Sequence, residues 1–129
     1  MSSSLEGFDL DLVEWAKRLV VPRYGDRQHF SPRSLADLRD GVFLCEVCEC
    51  ILGVSIGPVW RIATSRVCAE QNAWLVLFAL NERLCMDVSI HPEAVAEGNK
   101  DCIRAVLLAL QNAEDVMQQR RAQQQQQVQ

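Results

Sequence analysis

Cysteine is the residue type whose spacing in this chain comes nearest to a chemical motif. Cys45 and Cys48 are separated by two residues and Cys50 follows them, which is the kind of spacing found in zinc-binding pairs. A structural zinc site needs four ligands, usually from two separated pairs, whereas the other three cysteines are isolated and both histidines are distant in sequence. We therefore favour core packing over metal binding, because free cysteine is among the most buried residue types and stays reduced in a protein without a secretory signal.

Polar residues next to or inside two apolar segments raise the question of catalysis. Asp40 and Gly41 stand just before a mostly apolar run, where an aspartate carboxylate is suited to capping a helix N-terminus. We expect the amide of Asn72 to bond a loop backbone, because a buried amide requires hydrogen-bond partners. Glu46 and Glu49 are expected to form a solvated face. No serine–histidine–aspartate order and no glycine-rich phosphate loop can be singled out, so the sequence predicts a non-enzymatic protein without catalytic, cofactor or metal residues.

Basic residues are concentrated only between positions 17 and 33. Five of them stand against a single acid in this window, a local charge of +4 in a chain whose net charge is −4. Such a patch can steer docking onto an acidic surface. The alternative interpretation is solvated charge around a helix end and a loop. The candidate partner-binding residues are Lys17, Arg18, Arg23, Arg27 and Arg33.

Composition limits the class of protein. The hydrophobic content of 49% and the charged content of 23% are ordinary for a soluble globular domain. The negative net charge disfavours a protein whose main task is to bind nucleic acid. The longest apolar run, from Ala73 to Leu80, is too short for a membrane span, which needs about 20 residues. The first residues lack the features of a signal peptide. We expect a cytoplasmic protein.

Helical periodicity, capping residues and helix breakers predict an all-α fold for the chain. Proline and glycine divide the chain into segments, and apolar residues recur within them at helical spacing. The predicted elements are a helix over 8–21 ended by Pro22, a short turn from Ser34 or Asp37, a helix over 41–52 stopped by Gly53, a helix over 65–84, a short helix opening at Pro92 and stopping at Gly98, and a last helix capped by Asn99.

The helix over 65–84 is expected to be central. Its middle is apolar on all sides, which predicts burial all round. Trp15 is then expected to pack the first helix against this central helix, near Trp74 and Phe78.

Composition also divides the chain into three parts. Residues 1–7 are interpreted as a flexible leader and 8–117 as one domain. Residues 118–129 form a glutamine-rich tail that cannot build a core. Because Ala113 and Met117 continue the spacing of the last helix, the tail is interpreted as the start of a linker or coiled coil. Such a coiled coil would allow a homodimer.

Four segments are notable when taken in order: Trp15, the run from Asp40 to Glu46, the pair Gln71 and Asn72, and residues 90–99. Together they resemble calponin-homology domains over about residues 8–113. Trp15 matches the tryptophan of the family's first helix, and the run Asp-Gly-Val-Phe-Leu-Cys-Glu from Asp40 matches the signature of its third helix. Gln71 and Asn72 resemble a Glu-Asn pair in its central helix, and residues 90–99 resemble the segment before its last helix. The resemblance implies an all-α bundle of four main helices with short connecting ones.

The resemblance also implies a function. Calponin-homology domains are protein-interaction modules rather than enzymes, mostly of cytoskeletal proteins. Tandem pairs bind actin filaments, whereas single copies occur in adaptors or, in related domains, bind microtubules. Only one copy fits here, and Lys17 stands where the actin-binding type usually has Asn. We expect a cytoskeleton-associated module that binds a filament (microtubule or actin) or a filament-associated partner. The alternative is an adaptor or scaffold head that docks another protein or positions a coiled-coil dimer.

Overall fold

The computed structural model describes the backbone of residues 3–24 and 34–128, and the side chains of 7–22 and 34–125. The described residues contain helices and no strand, which confirms the all-α class. In chain order the elements are α1 (Ser3–Tyr24), a 3₁₀ helix (Leu35–Leu38), α2 (Val42–Leu52), α3 (Arg66–Arg83), α4 (Pro92–Ala96) and α5 (Lys100–Val128).

The core is built around α2. Every α2 residue from Val42 to Glu49 is buried, and the helix packs on α1, α3 and α5. This corrects the prediction that α3 is buried on all sides, because Trp74 and Phe78 of α3 are 51% and 47% exposed. The physical reason is that α2, α4, α5 and the loop before α3 cover only part of the helix, so the face with Trp74 and Phe78 meets solvent.

Trp15 of α1 is partly buried at the edge of the core, but not where the sequence predicted. Its indole Nε1 donates to Glu114 Oε1 of α5 at 3.3 Å. Among the described residues, α1 packs on α2, α5 and the 3₁₀ helix, and it does not pack on α3. The predicted contact of Trp15 with Trp74 and Phe78 is therefore wrong. Two helices, α2 and α5, pack on both α1 and α3.

Glu46 and Glu49 are buried, which corrects their assignment to a solvated face. Glu49 Oε2 accepts the backbone N–H of Ile56 at 3.2 Å, and Oε1 forms an ion pair with Arg61 Nη2 at 3.1 Å. A carboxylate can be buried when such partners replace its lost water. Both partners of Glu49 lie in the loop after α2, so helical periodicity contains no sign of them.

The first helix is longer than predicted at both ends. It begins at Ser3, inside the segment interpreted as a leader, and continues past Pro22 to Tyr24. An ion pair ties the early part of α1 to α5: Arg104 Nε and Nη2 bind the two carboxylate oxygens of Asp9 at 2.6 and 3.0 Å. Pro22 lies in the last turn of the helix and lacks an N–H donor. The helix can therefore include Pro22, although it does not continue far beyond it.

The glutamine-rich tail continues α5 without a break as far as Val128. Arg121 Nη2 donates to the carbonyl oxygen of Ile51, near the C-terminus of α2, at 3.3 Å. A cation is stabilised at this position because the last carbonyls of a helix carry partial negative charge. The contact links a tail residue to the body of the bundle across 70 positions of sequence.

Candidate interaction surface

The site is organised by the contact between the start of α2 and the middle of α3. Gly41 has φ +75°, a left-handed conformation that glycine adopts without strain. A Cβ at position 41 would lie 2.6 Å from Asn72 Cβ, a distance that requires something to move. Only glycine therefore allows the corner before α2 to approach α3 this closely.

Asn72 is fully buried and bonds two separate backbone segments, as the sequence predicted. Its Nδ2 donates to the carbonyl oxygens of Asp40 and Trp60, both at 3.0 Å. Its Oδ1 accepts the backbone N–H of Trp60 at 2.9 Å. One amide thus joins the corner before α2 to the loop before α3.

Asp40 helps to start α2, although Gly41 and not Asp40 occupies the N-cap position. Asp40 Oδ1 accepts the N–H of Val42 at 3.1 Å, the local bond of an Asx turn. Burial raises the pKa of the Asp40 carboxyl, and the Val42 N–H and the nearby Arg39 charge partly offset this effect. The prediction that Asp40 itself caps the helix N-terminus is therefore wrong, and its carboxylate instead holds the turn that leads into α2.

Two of the three cysteines of α2 are packed in the core, and Cys50 is partly buried. Cys45 and Cys48 are buried free thiols, and Cys45 Sγ donates to the carbonyl oxygen of Asn72 at 3.3 Å. Burial raises the pKa of both thiols, that of Cys48 to about 12. Within the described part of the chain, no three histidine, cysteine or acidic side chains converge as metal ligands would.

The loop over 54–64 is clamped at two points by buried polar side chains. Glu49 of α2 holds the N–H of Ile56 and the side chain of Arg61, and Asn72 of α3 holds both backbone groups of Trp60. Buried polar groups with satisfied bonds of this kind specify a single loop position. The side chains of the loop are consequently presented beside α3 in a fixed arrangement.

The loop and α3 enclose an apolar groove of about 510 Å³. Trp60, 48% exposed, is fixed by a 2.6 Å bond from its Nε1 to Gln71 Oε1. Trp74 stacks on Phe78, with ring centroids 4.8 Å apart and planes inclined by 19°. The groove is lined by Pro58, Val59, Trp60, Gln71, Trp74 and Leu75, and we call these residues with Phe78 the aromatic groove.

The structure places only part of the predicted basic patch. Lys17 Nζ pairs with Glu14 Oε1 on the same helix at 3.3 Å, and Arg18 is exposed in a hollow that Asp11 and Glu14 also line. Arg23 lies in α1, but its side chain is outside the described set, and Arg27 and Arg33 lie outside the described residues. The two described members thus have acids as neighbours, and the patch as a whole remains a prediction.

The aromatic groove was not predicted from the sequence. The sequence nevertheless contained a signal for it. A helix in a four-helix bundle keeps one face towards solvent, so a helix that is apolar on every side must expose some apolar side chains. Trp74 and Phe78 are four residues apart and share that face. Bulky aromatic residues on the solvent-facing side of α3 would have indicated a docking surface.

Comparisons with family models, with curated protein sequences and with solved structures find no match to this chain. None of the helices in the described residues is both long and apolar enough to cross a membrane.

Proposed function

We propose that this chain is a non-enzymatic protein-interaction module of calponin-homology type. It would serve a cytoskeleton-associated protein by binding a filament, microtubule or actin, or a filament-associated protein. The observation that carries the proposal is the aromatic groove, where Trp60, Trp74 and Phe78 are each about half exposed. Contiguous exposed apolar surface marks interaction sites, and tryptophan and phenylalanine are enriched at protein interfaces.

The motif residues that carry the resemblance support the same proposal. Asp40 and Gly41 match the third-helix signature of the family, and Asn72 matches its central helix. In this fold they contact one another although 32 positions separate Asp40 from Asn72. Residues that match a family at separate points of the sequence thus act together in one structural unit.

A second candidate is the adaptor head that docks another protein without binding a filament. The observation that favours it is the absence of charge among the six residues that line the groove. Actin filaments and microtubules are acidic surfaces, which a basic patch attracts better than an uncharged groove. An apolar segment of a partner protein suits the groove more closely.

Co-sedimentation with actin filaments and with microtubules, at low and moderate salt, tests the proposal and separates the two candidates. Sedimentation with either filament would support direct filament binding. Reversal of Lys17, Arg18 and Arg23 to Glu would then show how much of the binding comes from the basic residues, since exposed charges are screened over about 8 Å at physiological ionic strength. Absence of sedimentation with both filaments at low salt would remove direct binding and leave the adaptor.

A further inference from the structure

We infer that the aromatic groove binds a proline-rich segment of a partner protein in the polyproline II conformation, with a basic residue beside the prolines. This inference rests on the proposed function, because it takes the groove as the docking surface. Proline-rich segments are bound in aromatic-lined grooves, where their preformed helix loses little entropy on binding. Here Pro58, Trp60 and Trp74 line one uncharged groove.

The groove is organised before any partner arrives. The backbone of Trp60 is held by Asn72, and its indole is held by Gln71, so the ring has a fixed position and its donor is already used. Trp74 is held by its stacking on Phe78. A groove of fixed rings matches a ligand that is itself rigid, because neither side loses much freedom on binding.

The hydrogen-bonding state of Trp74 distinguishes an extended ligand from a helical one. Among the described residues, Trp74 Nε1 has no hydrogen-bond acceptor. A polyproline II segment has no internal hydrogen bonds, so its carbonyl oxygens are free to accept from this N–H. The backbone carbonyls of an α-helix bond within the helix, so a helix laid in the groove would have to satisfy the Trp74 N–H with a side chain.

The negative charge of Glu82, beyond the end of the aromatic groove, favours a basic residue beside the prolines of the ligand. Trp74, Phe78 and Glu82 follow one another at four-residue spacing on α3, which aligns them on one face. Glu82 is exposed and forms no ion pair with any described residue, whereas Arg83 turns to the carbonyl of Ser55 in the loop. A lysine or arginine of the ligand, one turn beyond the apolar contact, would meet Glu82 as a complementary charge.

The test uses two labelled peptides of about ten residues, one with Pro-x-x-Pro repeats and an arginine, the other with every proline replaced by alanine. Binding is followed by fluorescence anisotropy and by the tryptophan emission of the full chain. We expect the proline peptide to bind and the alanine peptide to bind at least tenfold more weakly. Trp74→Phe, which keeps the ring and removes the N–H, should weaken binding about fivefold. Glu82→Gln should weaken it about twofold and reduce its salt dependence.

Leu108→Gln is the matched control, since Leu108 is an exposed apolar residue of α5 outside the groove, and it should leave the affinity unchanged. The inference is overturned if the proline peptide fails to bind, if the alanine peptide binds equally well, or if Trp74→Phe has no effect. Self-association that Trp74→Phe abolishes would also overturn it, because the occupant would then be a second copy. If the peptides fail while groove variants still lose partner binding, the ligand class is wrong and the proposed function survives.

Discussion

Gly41 lies against Asn72 so closely that a Cβ at position 41 would be 2.6 Å from the Cβ of Asn72. This contact fixes the corner before α2 against α3. The same asparagine holds Trp60 through both of its backbone groups, so the contact also determines where the loop presents its side of the groove. Asn72 therefore both fixes the corner before α2 and positions one side of the aromatic groove.

Gly41→Ala should destabilise the protein more than substitution of other glycines does. At position 41 the methyl group meets both an unfavourable φ and the Asn72 side chain, and we expect a loss of about 2–4 kcal/mol in unfolding free energy. Gly53→Ala has the same kind of φ, +73°, with nothing within 4 Å, and should cost only about 1 kcal/mol. Gly7→Ala, in open space on α1, should be neutral or stabilising.

Urea unfolding of the three glycine variants gives the comparison. A Gly41→Ala loss equal to that of Gly53→Ala would mean that the close approach to Asn72 has no energetic consequence. In that case the contact would not fix the corner.

The two buried thiols of α2, Cys45 and Cys48, should resist modification in the folded protein. Burial raises the pKa of Cys45 and Cys48, so both stay protonated at pH 8, and the thiolate is the reactive form. Iodoacetamide should label the exposed Cys85 first and reach Cys45 and Cys48 only on unfolding, as read by peptide mass mapping. Equal labelling rates for Cys48 and Cys85 would contradict the core packing.

The same raised pKa predicts a loss of stability in alkali. An unfolded thiol releases its proton near pH 9.0, whereas Cys48 in the folded state releases it near 12. The contribution of the thiol is therefore complete below pH 9 and is lost as the pH rises from 9 towards 12, by about 1.4 kcal/mol per pH unit. Cys48→Ala should flatten the decline in unfolding free energy over this range, apart from the small cost of the truncation.

Asp40→Asn should reveal the cost of burying a charge at the start of α2. The raised pKa means that the folded protein holds the Asp40 proton more tightly, so the ionised carboxylate lowers stability at neutral pH. The asparagine keeps an acceptor for the Val42 N–H, and the variant should be at least as stable as wild type at pH 7. The difference should shrink as the pH falls towards 3.8. A less stable variant at pH 7 would show that the negative charge itself stabilises the helix start.

Arg121 gives a test of the contact between the tail and the body. Arg121→Ala removes the bond to the Ile51 carbonyl, and a cation at a helix C-terminus contributes about 0.3–1 kcal/mol. We expect the Tm to fall by a few degrees. Arg120→Ala is the matched control, because Arg120 is an exposed neighbour that makes no such bond to a described residue, and it should leave the Tm unchanged. Equal effects of the two variants would place residue 121 outside the body.

Local signals in the sequence predicted the parts of the fold that depend on neighbouring residues. Gly41 and Gly53 mark the ends of α2, Pro92 opens α4, and Asn99 Oδ1 accepts the N–H of Cys102 at 3.1 Å at the start of α5. The role of Asn72 could be predicted for a related reason. An amide in an apolar helix must have partners, whichever backbone supplies them.

The features that depend on distant partners could not be predicted in this way. Glu49 looks like a surface residue until the loop places Arg61 and the N–H of Ile56 beside it. Trp74 and Phe78 look like core residues because hydrophobicity records what a side chain prefers and not which neighbours the fold provides. The site depends on how the loop and α3 meet, and that is a tertiary relationship.

The most direct test of the proposed function is co-sedimentation of the Trp74→Gln, Phe78→Gln double variant with the filament that wild type binds, beside the Leu108→Gln control. Both substituted positions are about half exposed, so the Tm should change little. We expect the double variant to lose at least tenfold in affinity while Leu108→Gln sediments as wild type does. Unchanged sedimentation of the double variant would contradict the proposed function of the groove, because the aromatic groove would then take no part in binding.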